Sequence, residues 1–255
     1  MKTSGDRQIN PRVTPSLKEK ILSPAYSRAI GLAAVFFFGL GLVWHLIPFT
    51  SNLVRPLTPY LLLVFGVLTI APFIAADGIR LFLWAATSYA TGFAVEAIGV
   101  ATGAIFGPYE YSTVLGENIL RVPPIIGFNW IVVVSGCASL AAFLVYKAMP
   151  GVDGRCGMRV IRILVIAIVS GILAAAFDWV MEPVAVALGY WTGLVPAIPF
   201  RNYFTWFVFT AVSTGAWATL TRNHVKSFAL QSSYLFVQLA FFSGIRIAIV
   251  LGAQL

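Results

Sequence analysis

A chain of 255 residues with 59% hydrophobic and 10% charged side chains, at a mean hydropathy of +0.89, cannot clothe a water-facing surface. Soluble domains carry roughly a quarter of their residues as charges, so a soluble fold is excluded and the outside of this one is expected to meet lipid. The formal net charge of +8 leaves nine acidic side chains, Asp6, Glu19, Asp77, Glu96, Glu110, Glu117, Asp153, Asp178 and Glu182, and their depth in the bilayer becomes the functional question.

In chain order, residues 1 to 28 form a polar tail with Lys2, Arg7, Arg12, Lys18, Lys20 and Arg28, expected to be mobile and cytoplasmic. Windows of about 20 apolar residues then predict seven spans, near 29 to 47, 57 to 76, 81 to 104, 125 to 148, 159 to 182, 202 to 221 and 228 to 252. The fold class is therefore an all-α integral membrane protein, one seven-helix transmembrane bundle over 29 to 252. The first span is read as a retained signal anchor, since its apolar run exceeds a typical signal-peptide core. Helical periodicity is weak throughout, as expected when one face meets lipid and the other meets protein. No repeat, heptad array or low-complexity tract divides the chain, and the short alternating segments of a membrane barrel are missing from the sequence.

Basic residues orient the bundle. The tail, Arg80, the loop and flanks with Lys147, Arg155, Arg159 and Arg162, and the loop with Arg222 and Lys226 fall on one side; only Arg55, Arg121 and Arg201 fall on the other. The N-terminus is expected to be cytoplasmic and the C-terminus extracytoplasmic, in the cell membrane. Short basic loops beside spans also account for the net charge through topology and anionic lipid, so no nucleic-acid partner is expected. Cys137 in a span and Cys156 in a loop sit at different depths and predict no disulfide. His45 and His224 are too few for a histidine metal site, and His45 suits packing at the end of the first span.

Helical rise converts position into depth. At 1.5 Å per residue, Glu96 lies roughly 22 Å along the third helix, and Asp178 and Glu182 roughly 27 and 33 Å along the fifth. Arg246 reaches a similar level on the seventh. Ionisable groups at such depth cost about 2.5 to 3.5 kcal/mol each on insertion scales and normally face the bundle interior. An inward aim fits the small-residue stripes: Glu96 shares a stripe with Gly92, Gly99 and Gly103, and Asp178 and Glu182 lie one turn apart near Gly171 and Ala174. A buried ion pair with Arg246 would explain one of these acids but not three.

Two outer loops, near 105 to 124 and 183 to 201, add tyrosine, tryptophan, carboxylate and amide side chains at the same level. They carry Tyr109, Glu110 and Tyr111 in one, and Tyr190, Trp191 and the approach to Asn202 in the other. An apolar, aromatic pocket with several carboxyl groups suits a lipid-like substrate with little polar handle. Carboxylic acids kept neutral by desolvation are proton donors. Protonating a trisubstituted alkene makes a tertiary carbocation, which aromatic faces stabilise. Water then completes a hydration, or a neighbouring double bond closes a ring. Neither outcome needs a cofactor or a metal, and none is expected.

Several motifs in order resemble a known family. They are Glu96-Ala-Ile-Gly-Val-Ala-Thr-Gly-Ala-Ile-Phe-Gly-Pro-Tyr-Glu-Tyr111, then Val122-Pro123 with Trp130, then Asp178 through Pro183-Val184-Ala185-Val186 and Gly189-Tyr190-Trp191, then Ile198-Pro199-x-x-Asn202 and Trp206. Over roughly residues 90 to 210 this resembles the CruF-type carotenoid biosynthesis proteins of bacteria and archaea. Those are multi-pass hydratases that add water across the terminal double bond of acyclic carotenoid ends. The resemblance implies a carotenoid or other long isoprenoid as substrate. Carried over by position, it implies Glu96, Asp178 and Glu110 as catalytic candidates, which Glu182 joins by depth, and Tyr109, Tyr111, Tyr190, Trp191, Asn202 and Trp206 as substrate-binding ones, which Arg246 joins by depth. Glu182 stands where an aspartate is commoner in that family, and Gly193 where a second tryptophan is expected, which leaves the end group open. The alternatives are an integral membrane lycopene cyclase sharing the protonation step, a transporter, a carotenoid-binding membrane protein, and a membrane prenyltransferase. The last has one acidic motif, Asp178-Trp-Val-Met-Glu182, but lacks a second motif and a basic diphosphate cradle.

Overall fold

The computed structural model describes residues 15–150, 156–193, 197–220 and 228–253. Its long elements are α-helices, as the apolar runs predict. A short helix α1 (Leu17–Ile21) precedes α2 (Pro24–His45), α3 (Pro48–Val54), α4 (Thr58–Asp77) and α5 (Ile79–Thr102). There follow strand β1 (Tyr109–Tyr111), α6 (Pro124–Ala148), α7 (Cys156–Ala187), strand β2 (Trp191–Gly193), α8 (Phe200–Leu220) and α9 (Phe228–Val250). Among the described residues, six helical runs are long and apolar enough to cross a membrane: Pro24–His45, Pro48–Asp77, Ile79–Thr102, Pro124–Ala148, Gly157–Ala187 and Ala229–Val250. The second combines α3, a 3-10 turn and α4. Helix α8 matches the others in length, but Asn202, Thr205, Thr210, Ser213, Thr214 and Thr219 dilute its apolar content, and it is not among the six.

The polar tail differs from the expectation over its second half. Leu17–Ile21 and the stretch from Pro24 onward are helical, because Ser16 and Glu19 close a capping box and Ser23 caps a helix opened by Pro24. Residues 1 to 14, where mobility was expected, lie outside the described residues, as do the loop with Arg155 and the loop with Arg222, His224 and Lys226.

Helix α6 forms the centre of the bundle. Inside the fold 72% of its span is buried, against 6% for α2, which lies at the periphery. It packs on α4, α5, α7, α8 and α9, and Trp130, Val133, Val134, Cys137, Ala138, Ala141 and Ala142 along it are fully enclosed. Cys137 is a free thiol there, and the side chain of Cys156 lies outside the described residues. The most extensive helix contact is between α7 and α8, and a glycine lets the backbones approach there: a Cβ on Gly171 would stand 2.7 Å from the Phe207 carbonyl oxygen. Gly92 serves likewise, its missing Cβ occupied by the Trp130 side chain at 2.9 Å. The outward faces are apolar, as with Ile161, Leu164, Ile168 and Ile172 along α7, which fits a lipid surround rather than water.

Two helices contain an internal proline, and each leaves a carbonyl without its usual helical donor. A side chain from another helix takes that place in both cases. Pro72 frees the Leu68 carbonyl, which accepts from the Tyr26 hydroxyl at 2.9 Å; Pro183 frees the Trp179 carbonyl, which accepts from Arg246 Nη1 at 2.6 Å. In hydrocarbon an unmatched carbonyl is expensive, so such donors tie α2 to α4 and α9 to α7. His45 is buried at the end of α2, bonded to the Gly41 carbonyl at 2.7 Å and packed edge-on against Phe241, in keeping with its expected packing role.

Candidate functional site

The two long loops do more than line an interface. They pair as an antiparallel ribbon, Tyr109 opposite Gly193, Glu110 opposite Thr192 and Tyr111 opposite Trp191, locked by the Ser112 N–H to the Tyr190 carbonyl at 3.0 Å. Strand alternation then sorts three consecutive residues. Tyr109 and Tyr111 turn inward, and Glu110 turns out to an exposed ion pair with Arg121 at 2.9 Å.

Beneath the ribbon is a cavity of about 370 Å³, bounded by residues of α4, α5, α6, α7, α8 and α9. Its wall brings together Glu96, Tyr109, Tyr111, Asp178, Glu182, Tyr190, Trp191, Asn202 and Trp206 from the expected set. Glu110 and Arg246 do not join them. Arg246 has the expected depth but the wrong direction: its guanidinium lies 4.0 Å from the ring centroid of the half-exposed Trp179 while bonding the Trp179 carbonyl. No buried ion pair with Arg246 accounts for the acids.

The three carboxyl groups of the cavity are held in different ways. Glu96 is buried, and both its oxygens are engaged: Oε2 accepts from the hydroxyls of Tyr109 and of Tyr111, the latter at 3.0 Å, and Oε1 accepts from Trp130 Nε1 at 3.0 Å. Burial, and after it the neighbouring Glu96, pushes the Tyr109 and Tyr111 phenols above their ordinary range, so both remain hydroxyl donors. Asp178 is fully buried. Its Oδ2 accepts from Asn202 Nδ2 at 2.5 Å, and Oδ1 has no partner among the described residues. Glu182, one turn further along α7, is half-buried and accepts from Trp191 Nε1 at 3.0 Å through Oε1.

Aromatic faces complete the wall. Trp130 and Trp206 stack with centroids 3.9 Å apart, Phe209 tilts against Trp130 at 4.5 Å, and Tyr111 meets Trp191 edge-on at 5.6 Å. Tyr190 bonds Thr58 at 3.2 Å, and burial pushes its phenol up to about 12. Phe106, Ile126, Met181, Pro199 and Phe242 make the rest of the lining mostly apolar. Such a chamber has the shape and polarity to suit an apolar chain end, with carboxyl groups as candidate proton sources and aromatic rings facing the same space.

Sequence reasoning did not place Phe106, Asn129, Gln238 or Phe242 in this lining. For the aromatics nothing distinguishes a cavity wall from a helix contact. Gln238 did carry a signal, an amide inside an apolar span.

A family model described as carotenoid biosynthesis protein matches residues 57–254. No curated protein and no solved structure matches the chain.

Proposed function

The chain belongs to the carotenoid biosynthesis protein family, and from that premise we propose that it hydrates the terminal double bond of an acyclic carotenoid end, as the CruF-type members it resembles do. The observation that carries this reading is Asp178. One oxygen is pinned by Asn202, the other is unpaired among the described residues, and the group is fully buried in the wall of an aromatic cavity. A buried carboxyl group held in this way suits the role of proton donor.

The reaction runs in two steps. The alkene π pair takes the proton from Asp178 Oδ1, forming a C–H bond and leaving positive charge on the tertiary carbon. A water lone pair then forms the C–O bond, and the surplus proton passes to Glu182. Asp178 and Glu182 share one helical face, so the proton returns to Asp178 and only water is consumed. Trp130, Trp206, Tyr111 and Trp191 supply the faces that stabilise the cation. Glu96, already accepting three hydrogen bonds, is held in place beside them rather than serving as the donor. The chemistry asks for no cofactor. Helix α8 serves as a seventh crossing of one membrane domain over 29 to 252, which puts the N-terminus in the cytoplasm, the C-terminus outside, and the cavity at the outer leaflet of the cell membrane.

Expression in a host that accumulates lycopene tests the proposal. The expected product is a tertiary alcohol one water heavier than its precursor, and unchanged carotenoid across several acyclic substrates would refute it. An isomer of unchanged mass would instead identify a cyclase. Asp178→Asn should abolish the product while the protein still accumulates in the membrane; an active variant would remove Asp178 from the mechanism.

A further inference from the structure

We propose that Gln238 holds the attacking water and thereby commits the cation to hydration rather than to ring closure or proton loss. The assignment rests on the hydratase reading above.

Gln238 lies on α9, is 1% exposed, and lines the cavity. Its Oε1 makes no hydrogen bond of normal geometry among the described residues, and Tyr234, one turn back on α9, lies beside it with a hydroxyl that is unmatched too. Leaving a buried amide oxygen unmatched costs about 1 to 3 kcal/mol, so a donor is expected to reach it when the cavity is filled. The other buried glutamine of α9 differs in its place: Gln231 Oε1 is likewise unpartnered among the described residues, but its Nε2 donates to the Thr69 carbonyl at 2.9 Å and it is not part of the lining. Gln238 shares the cavity wall with the acids. Phe242, one turn along from it, meets Phe177 at 5.9 Å, and Phe177 precedes Asp178.

A hydrocarbon chain end has no N–H or O–H to offer Gln238, whereas water has two. The cavity thus presents two kinds of acceptor, the Gln238 oxygen and a carboxylate of the Asp178 and Glu182 pair. A water that donates one O–H to each has both lone pairs free for the cationic carbon. One lone pair forms the C–O bond, and the O–H directed at the carboxylate gives up its proton there. The other O–H stays with the product as its hydroxyl, still donating to Gln238. Without this second anchor the water is poorly placed, and the cation decays by attack of an internal double bond or by loss of a neighbouring proton. Both routes give products isomeric with the substrate.

The test measures product partition in membranes from a lycopene-accumulating host. Gln238→Met, similar in length and lacking the acceptor, should lower the ratio of alcohol to isomeric products at least about tenfold, the scale of one hydrogen bond to a reacting group. Gln238→Glu, which keeps an acceptor oxygen at the same reach, should retain mostly alcohol. Should the methionine variant fail to accumulate, Gln238→Asn withdraws the oxygen by one methylene and should shift the ratio in the same direction. A native alcohol fraction in the methionine variant, or in its asparagine substitute, overturns the role of Gln238 alone. Loss of all conversion in a folded variant also overturns it, because protonation would then have failed rather than water capture. Absence of alcohol from the unmutated protein removes the hydratase reading itself.

Discussion

Arg246 and Trp179 are joined twice, by a 2.6 Å hydrogen bond from the guanidinium to the Trp179 carbonyl and by stacking of the same guanidinium over the indole ring at 4.0 Å. The carbonyl is available because Pro183, four residues on, has no N–H to give it. A charge that reads as a substrate-binding group from its depth is thus a donor that repairs a proline site. Pro183 lies in the cavity wall next to Glu182, so the repair also steadies the part of α7 that carries the acids.

This has a testable energetic consequence. Arg246→Ala should destabilise the protein in detergent by about 1 to 3 kcal/mol, the cost of orphaning a carbonyl and losing a cation over a ring. In a Pro183→Ala background the helix regains its own N–H donor for the Trp179 carbonyl, and the same arginine substitution should cost less. A double-mutant cycle followed by thermal unfolding reads the coupling. Equal costs in the two backgrounds would separate Arg246 from the proline.

The ribbon predicts a sharp contrast between adjacent residues. Tyr109→Phe, Tyr111→Phe and Trp130→Phe each remove one donor from Glu96, and each should lower turnover by about 10- to 100-fold, since a buried acceptor left without its donor costs roughly 1 to 3 kcal/mol. Glu110→Gln breaks only the exposed pair with Arg121 and should change turnover less than about twofold. Product formed per unit of membrane-inserted protein is the measurement. Equal losses at Glu110 and Tyr109 would contradict the inward and outward sorting of the strand.

Much of this was legible in the sequence, for identifiable reasons. Long apolar runs declare spans regardless of their surroundings, and the helices begin and end within a few residues of those runs. Acids inside such runs stand out because lipid will not tolerate them, hence Glu96, Asp178 and Glu182. What failed was azimuth. Helical rise gives the layer of a residue, but helices that are apolar all round carry no periodicity to say which way Arg246 points. Strand pairing was hidden for another reason: a three-residue strand is too short for alternation to be read, so Glu110 could not be told from Tyr109 and Tyr111. Gln238 escaped because an uncharged amide costs less in a span than a carboxylate and so draws less notice.

The join between α7 and α8 gives a last prediction, one about stability alone. A methyl group added at Gly171 would meet the Phe207 carbonyl oxygen and ring edge, both at 2.7 Å, and backbone cannot swing aside as a flexible side chain can. Gly171→Ala should therefore force the two helices apart and cost about 1 to 3 kcal/mol, the usual range for overpacking. Gly215 provides the comparison, because it lies on α8 with nothing within 4 Å of its would-be Cβ. There the same substitution removes a poor helix former and should stabilise by up to about 1 kcal/mol. Since Asp178 lies on α7 and its anchor Asn202 on α8, the Gly171 variant should lose activity along with stability, whereas the Gly215 variant should keep both. Unfolding temperatures of opposite shift, measured in the same detergent, are the expected result. Equal shifts would mean that the helices do not approach at Gly171 as closely as 2.7 Å requires.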